Sequence, residues 1–165
     1  MRPLTKILFL DFDGVLLPDP LAQEQANQGL THANYLDKVV FDHQCVSNLM
    51  HILNTTQTEI VLSTSWAMGH SFSQITSCLE RNGISTEHVF EWEDPSERSY
   101  MTPRKLSSHR VNEIHRWLAD HPEITNWVAV DDITGIASLG PRAIVTDPTV
   151  GLSHSDAAKA IAMLG

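Results

Sequence analysis

Apolar residues along this chain follow two periods. Short unbroken runs at KILFL (6–10), EIVLS (59–63), WVAVDD (127–132) and RAIVT (142–146) are bounded by polar or turn-forming residues and read as buried strands. HVF (88–90) is a shorter, weaker run that would make a fifth strand. Between these runs the period changes. Val46, Leu49, Met50 and Leu53 fall at i, i+3, i+4 and i+7, one stripe of an amphipathic helix over residues 43–54. Phe72, Ile75 and Leu79 mark a second helix, closed near Gly83, a residue suited to the left-handed position after a helix end. Val111, Ile114 and Leu118 supply a third, and Ser153 followed by Asp156 has the form of a helix N-terminus opening a last helix through Leu164. Residues 17–42, rich in Pro, Gln, Asn and Asp, show no clear period and are expected to form a long loop or small insertion.

Strands separated by helical stripes imply an α/β fold: a doubly wound, Rossmann-like parallel sheet of five strands with helices on both faces. The 165 residues, 42% of them hydrophobic, are enough for one domain with a proper core and leave no room for a second. Residues 17–42 are too few for a cap domain of their own, so any cap is minimal.

Charge then narrows the partners. A formal net charge of −9 opposes a non-specific grip on nucleic acid or on an anionic membrane. Five of the 11 basic residues nevertheless fall between Arg98 and Arg116, after an acidic run from Glu87 to Glu97. Cys45 and Cys78 lie in helical stripes without metal-ligand spacing, as reduced core thiols of a cytosolic protein would. The opening MRPLTKILFL has too short an apolar run for a signal peptide, and no segment approaches the roughly 20 apolar residues that span a bilayer. A soluble, cytoplasmic protein with no membrane partner is expected.

Candidate chemistry sits at the strand ends. Asp11 and Asp13 follow the first strand, Asp131 and Asp132 the one that ends at 132. In an open parallel sheet the ligand crevice lies beyond the carboxyl ends of the strands, where strand order switches. If these two strands are neighbours, four carboxylates converge, and a hard divalent cation, Mg²⁺ above all, would compensate them. Ser63, Thr64 and Ser65 at the end of the second strand offer hydroxyls and turn amides to an anion, or else cap the next helix. Trp66 beside them could stack on a nucleobase or pack in the core. The nine histidines show no paired metal-ligand spacing.

In this order the residues resemble the haloacid dehalogenase (HAD) superfamily of phosphatases. Asp11-Phe12-Asp13 matches its first motif, Thr64 its second, and Asp131-Asp132 its fourth. For the third motif, a basic residue ahead of the helix before the acidic pair, Lys105 and Arg110 both qualify, and Arg104 stands beside them. The closing stretch TDPTVGLSHSDAAKAIAML is similar to a subgroup of the superfamily fused to RNA-repair modules, the HAD domains of Swiss Army Knife RNA repair proteins.

The resemblance implies a Mg²⁺-dependent phosphoric monoester hydrolase. Asp11 would be the nucleophile, forming an aspartyl phosphate, and Asp13 the acid and then the base. The resemblance further implies that Mg²⁺ is held by the Asp11 carboxylate, the Asp13 carbonyl and Asp132, with or without Asp131. Thr64 and the basic residue would hold phosphoryl oxygens. The implied partner is a phosphorylated substrate, with a nucleic-acid terminus favoured by the subgroup and by the small insertion. Two alternatives stay open: a small-metabolite or nucleotide phosphatase with residues 17–42 as a lid, and a phospho-accepting, receiver-like signalling or binding module. The second ranks lower because a receiver carries its adjacent acidic pair after the first strand, whereas here that pair comes late.

Overall fold

A computed structural model describes residues 4–103 and 109–165. Four strands, β1 (Lys6–Leu10), β2 (Glu59–Leu62), β3 (Asn126–Asp131) and β4 (Ala143–Val145), form one sheet in the order β2-β1-β3-β4. Every pairing is parallel. The chain runs from β1 to β2 on one side, then returns to the other side of β1 for β3. Strand order therefore switches at β1, and the crevice this creates lies beyond Leu10 and Val130, which pair in register.

Alternation along β1 explains how one short strand serves two cores. Leu8 and Leu10 face a core shared with α3 (His43–Thr56), α4 (Phe72–Arg81) and α6 (His154–Leu164). Ile7 and Phe9 face the other side, under Ile114 and Trp117 of α5 (Arg110–Asp120). All four strand residues are fully buried, as a doubly wound sheet requires and as the unbroken apolar runs foretell. Two helices open on reciprocal side-chain and backbone caps, Ser71 with Gln74 and Ser153 with Asp156. Cys45 and Cys78 are buried free thiols, and burial pushes Cys45 up to about 12.

Two expectations are corrected. The sheet has four strands, not five: the segment at 88–90 touches β2 through one bridge, Val89 to Ile60, and a second bridge joins Met101 to Leu62. The chain turns away just after Phe90, where Glu91 takes a φ of 49°, so the run is too short to build a ladder. The second correction concerns residues 17–42, which contain α1 (Asp19–Asn27) and the short α2 (His32–Tyr35). Pro20 stands in the first turn of α1, where its missing N–H costs nothing. The Gln25 side chain then clamps the segment, donating to the Val40 carbonyl at 2.8 Å and accepting from the Val40 N–H at 2.9 Å.

Candidate active site

β1 ends at Leu10, and the chain then enters a tight loop instead of continuing as strand. The Phe12 carbonyl accepts from the N–H groups of Val15, Leu16 and Leu17, and Gly14 donates to Leu17 at 2.9 Å. This ending separates the two aspartates that a continuing strand would have aligned. Asp11 is buried, its N–H fixed to the Val130 carbonyl at 3.2 Å, while Asp13 is exposed. Gly14 makes the loop possible: its φ is +73°, and a Cβ there would lie 2.6 Å from the Asp132 Cγ. Only glycine admits both the turn and the approach of Asp132.

The closing stretch of the chain supports this loop. The Thr146 hydroxyl donates to the Gly14 carbonyl at 2.8 Å, the Leu152 N–H to the Val15 carbonyl at 2.8 Å, and the Asp19 N–H to the Pro148 carbonyl at 2.8 Å. Gly151 turns with φ +79° where a Cβ would meet the Val15 carbonyl at 2.7 Å. TDPTVGL thus braces the loop that carries Asp11 and Asp13, a role its sequence does not announce.

Three carboxylates converge. One oxygen each from Asp11, Asp131 and Asp132 lies within 4.8 Å of the others. Arg110, the first residue of α5 and itself buried, enters the same space. Its Nη1 lies 3.0 Å from Asp131 Oδ2 and 3.6 Å from Asp11 Oδ1. One turn further on, the buried Glu113 carboxylate stands 3.9 Å from Arg110 Nε. The approach to Asp131 is ionic and out of hydrogen-bonding line, so Arg110 Nη1 and Asp131 Oδ2 are buried without a hydrogen-bond partner among the described residues. Buried polar atoms are normally satisfied, and such a pair fits a site built to take up an oxyanion and a cation. An all-oxygen donor set is also the right chemistry for Mg²⁺.

Electrostatics agree. Burial, reinforced by the Asp131 carboxylate, raises Asp11 well above the usual carboxylate range despite the nearby guanidinium. Burial and a hydrogen bond with Asp131 push Asp132 up to about 6. The Asp131 Oδ1 also accepts from the Ile133 N–H at 3.1 Å, which fixes its rotamer.

The other expected residues divide. Ser63 donates its N–H to the Leu10 carbonyl at 2.9 Å, which sets Thr64 on the same rim as Asp11. Thr64 is buried, and its hydroxyl accepts from the Trp66 N–H at 3.3 Å, capping the short turn at Ser65–Met68. The Asp13 carboxylate stands apart from the clustered three: its Oδ2 accepts from Trp66 Nε1 at 2.9 Å. Trp66 is only 1% exposed and carries the His32 ring flat on its face at 4.4 Å, so it packs in the core and is closed to a nucleobase. Lys105 and Arg104 lie outside the described residues. Arg116 is exposed on α5, six residues or about 9 Å along the axis from Arg110, so it does not join Arg110 at the crevice. A hollow of about 520 Å³ between Glu97–Pro103 and Trp117–His121 holds none of the four carboxylates.

Sequence reasoning missed Glu113, His32 and the link from Trp66 to Asp13. Glu113 carried a signal, an acid one turn after Arg110 and next to the apolar Ile114. The other two carried none, because 53 residues separate Trp66 from Asp13.

Residues 7–157, from β1 into α6 and including every residue of the crevice, match the family model described as the HAD domain in Swiss Army Knife RNA repair proteins. No curated protein and no solved structure matches the chain.

Proposed function

This chain belongs to the HAD domains of Swiss Army Knife RNA repair proteins, and from that membership we propose a Mg²⁺-dependent phosphatase that hydrolyses a phosphate monoester, with the ends of nucleic acids as its substrate. The observation that carries the reading is the placing of one buried aspartate, Asp11, among Asp131, Asp132 and Arg110 at the switch point of the sheet.

The chemistry rests on the separation of Asp11 and Asp13. An Asp11 oxygen attacks phosphorus, the bond from phosphorus to the ester oxygen breaks, and Asp13 gives its proton to that departing oxygen. Water then attacks the aspartyl phosphate, Asp13 takes a proton from it, and Asp11 is released with inorganic phosphate. Arg110 and Thr64 face the phosphoryl oxygens, on which negative charge accumulates. The Asp11, Asp131 and Asp132 carboxylates and the Asp13 carbonyl would hold Mg²⁺, whose charge lets an anionic carboxylate approach an anionic ester.

One observation favours a second reading, a small-ester phosphatase with residues 17–42 as a lid. The insertion is folded, and its His32 stacks on the residue that holds Asp13. The experiment common to both readings is hydrolysis of p-nitrophenyl phosphate with Mg²⁺ and with chelator, together with acid trapping of a phosphoenzyme that hydroxylamine releases. Asp11→Asn should abolish turnover and the trapped species while keeping the fold. Full turnover by Asp11→Asn would remove Asp11 as the nucleophile.

A further inference from the structure

A cleft of about 190 Å³ opens directly beside the Asp13 carboxylate, between α1 and Trp66. Leu17, Ala22, Ala26 and Val39 line it, so its walls are almost wholly apolar. Thr31 and His32 also touch it, and two further polar side chains that do so are already committed. Gln25 is held on both sides by the Val40 backbone, and the Trp66 N–H is given to Asp13. The space exists because α1 presents alanine at two positions one turn apart, 22 and 26, where larger residues would close it.

We propose that this cleft is the leaving-group site and that it takes a single compact apolar ring attached near the ester oxygen. The inference rests on the phosphatase reading, in which Asp13 protonates the departing oxygen, so whatever carries that oxygen must lie on Asp13's open side. Size sets the class. Pockets that enclose a drug-sized ligand run to about 300–1,000 Å³, and this one holds one ring and no more. The rest of the substrate lies outside it, which suits an extended molecule. An apolar wall also discriminates by what it buries, because a ring leaves more surface out of water than a methyl group does.

Benzyl and ethyl phosphate test this, since their leaving alcohols have similar basicity and differ in the ring. In the presence of Mg²⁺ the protein should hydrolyse benzyl phosphate with a kcat/KM about tenfold or more above that for ethyl phosphate, the scale on which apolar pockets discriminate. Ala26→Leu, at an exposed position on α1, should fill the cleft and bring the ratio near one. Glu24→Leu, on the same helix but away from the cleft, should leave the ratio as it is. Titration calorimetry with benzylphosphonate and ethylphosphonate supplies a readout that does not need turnover. If no ester is hydrolysed, yet benzylphosphonate binds about tenfold tighter and Ala26→Leu cancels the difference, the cleft stands and the phosphatase reading falls. If esters are hydrolysed with no ring preference, or Ala26→Leu lowers both substrates equally, the cleft assignment is overturned and the phosphatase reading stands.

Discussion

Removing Arg110 should separate two roles that its position combines. At an effective dielectric of 20, unit charges 3.0 Å and 3.6 Å apart attract by roughly 5.5 and 4.6 kcal/mol. Most of that gross attraction offsets the cost of burying three ions, so the net loss on deleting one partner is smaller, about 3–5 kcal/mol. For a chain of this length each kcal/mol moves Tm by about 2–4 °C, and Arg110→Ala should melt roughly 6–20 °C lower without metal. Adding Mg²⁺ should recover part of the loss, because the same Asp11 and Asp131 carboxylates gain a cation. Turnover should not recover. A guanidinium that faces the transferring phosphoryl group is worth about 10²–10³ in kcat, by analogy with an oxyanion donor. Arg110→Lys keeps the charge but lacks the planar fork, and should fall between wild type and Ala. The assay is steady-state hydrolysis of p-nitrophenyl phosphate at saturating Mg²⁺, beside thermal melts with and without the ion, for Arg110→Ala, Arg110→Lys and Lys105→Ala. If Arg110→Ala kept its turnover within about threefold while Lys105→Ala lost about 10² or more, the phosphoryl ligand would be Lys105 and Arg110 only a structural counter-charge.

Three further outcomes are expected. Trp66→Phe keeps a ring against Phe12 and His32 but removes the N–H that holds Asp13 Oδ2; alkyl phosphates should slow by about tenfold and p-nitrophenyl phosphate by far less, because a good leaving group needs little protonation, and equal losses on both would argue against the anchor. Asp11 and Asp132 are raised, Asp132 to about 6, so the metal-free fold holds protons that the unfolded chain has released; the stability this adds is complete below the usual carboxylate range and is lost as pH rises through about 6. Mg²⁺ needs those carboxylates ionised, so its Tm increment should be large at pH 7.5 and small at pH 5, and an equal increment at both would contradict the shared site. A phosphorylated oligonucleotide should be preferred to the matching mononucleotide in kcat/KM at low salt, with the margin shrinking as salt rises; a preference for the mononucleotide that salt leaves unchanged would favour the lid reading.

The fold was legible where burial on both faces of the sheet forces unbroken apolar runs, which is why β1, β2, β3 and β4 stand within a residue of their expected bounds. HVF read as a strand because three apolar or β-favouring residues look alike in any context. The turn at Glu91 that cuts the ladder is decided by tertiary packing. The first insertion helix failed in the opposite direction. Its one buried residue is Gln25, not a stripe of large apolar residues, and Gln25 is anchored to Val40, 15 residues away. At the crevice, the strand-end aspartates could be read because two acidic pairs each follow a buried apolar run directly. Which basic residue joins them could not, since Lys105 and Arg110 are both spaced tolerably ahead of the acidic pair.

That DFDG holds two aspartates one residue apart has a physical reason. Asp11 and Asp13 are given different surroundings by a strand that stops at Leu10 and a loop that only Gly14 permits. Asp11 is enclosed with Asp131 and Asp132, and one guanidinium does not offset burial and the neighbouring carboxylate, since Asp11 remains raised with Arg110 at 3.6 Å. In the proposed mechanism the nucleophile is anionic, and a second positive charge at the cluster would favour that form of Asp11. Asp13 is kept outside that field, exposed and tied by one oxygen to an uncharged indole N–H. Asp13 also lines the cleft. Under the proposed mechanism a cation entering the cluster would favour the ionised form of Asp11 without engaging the Asp13 carboxylate, and that division of labour would rest on Trp66 as much as on the acids themselves.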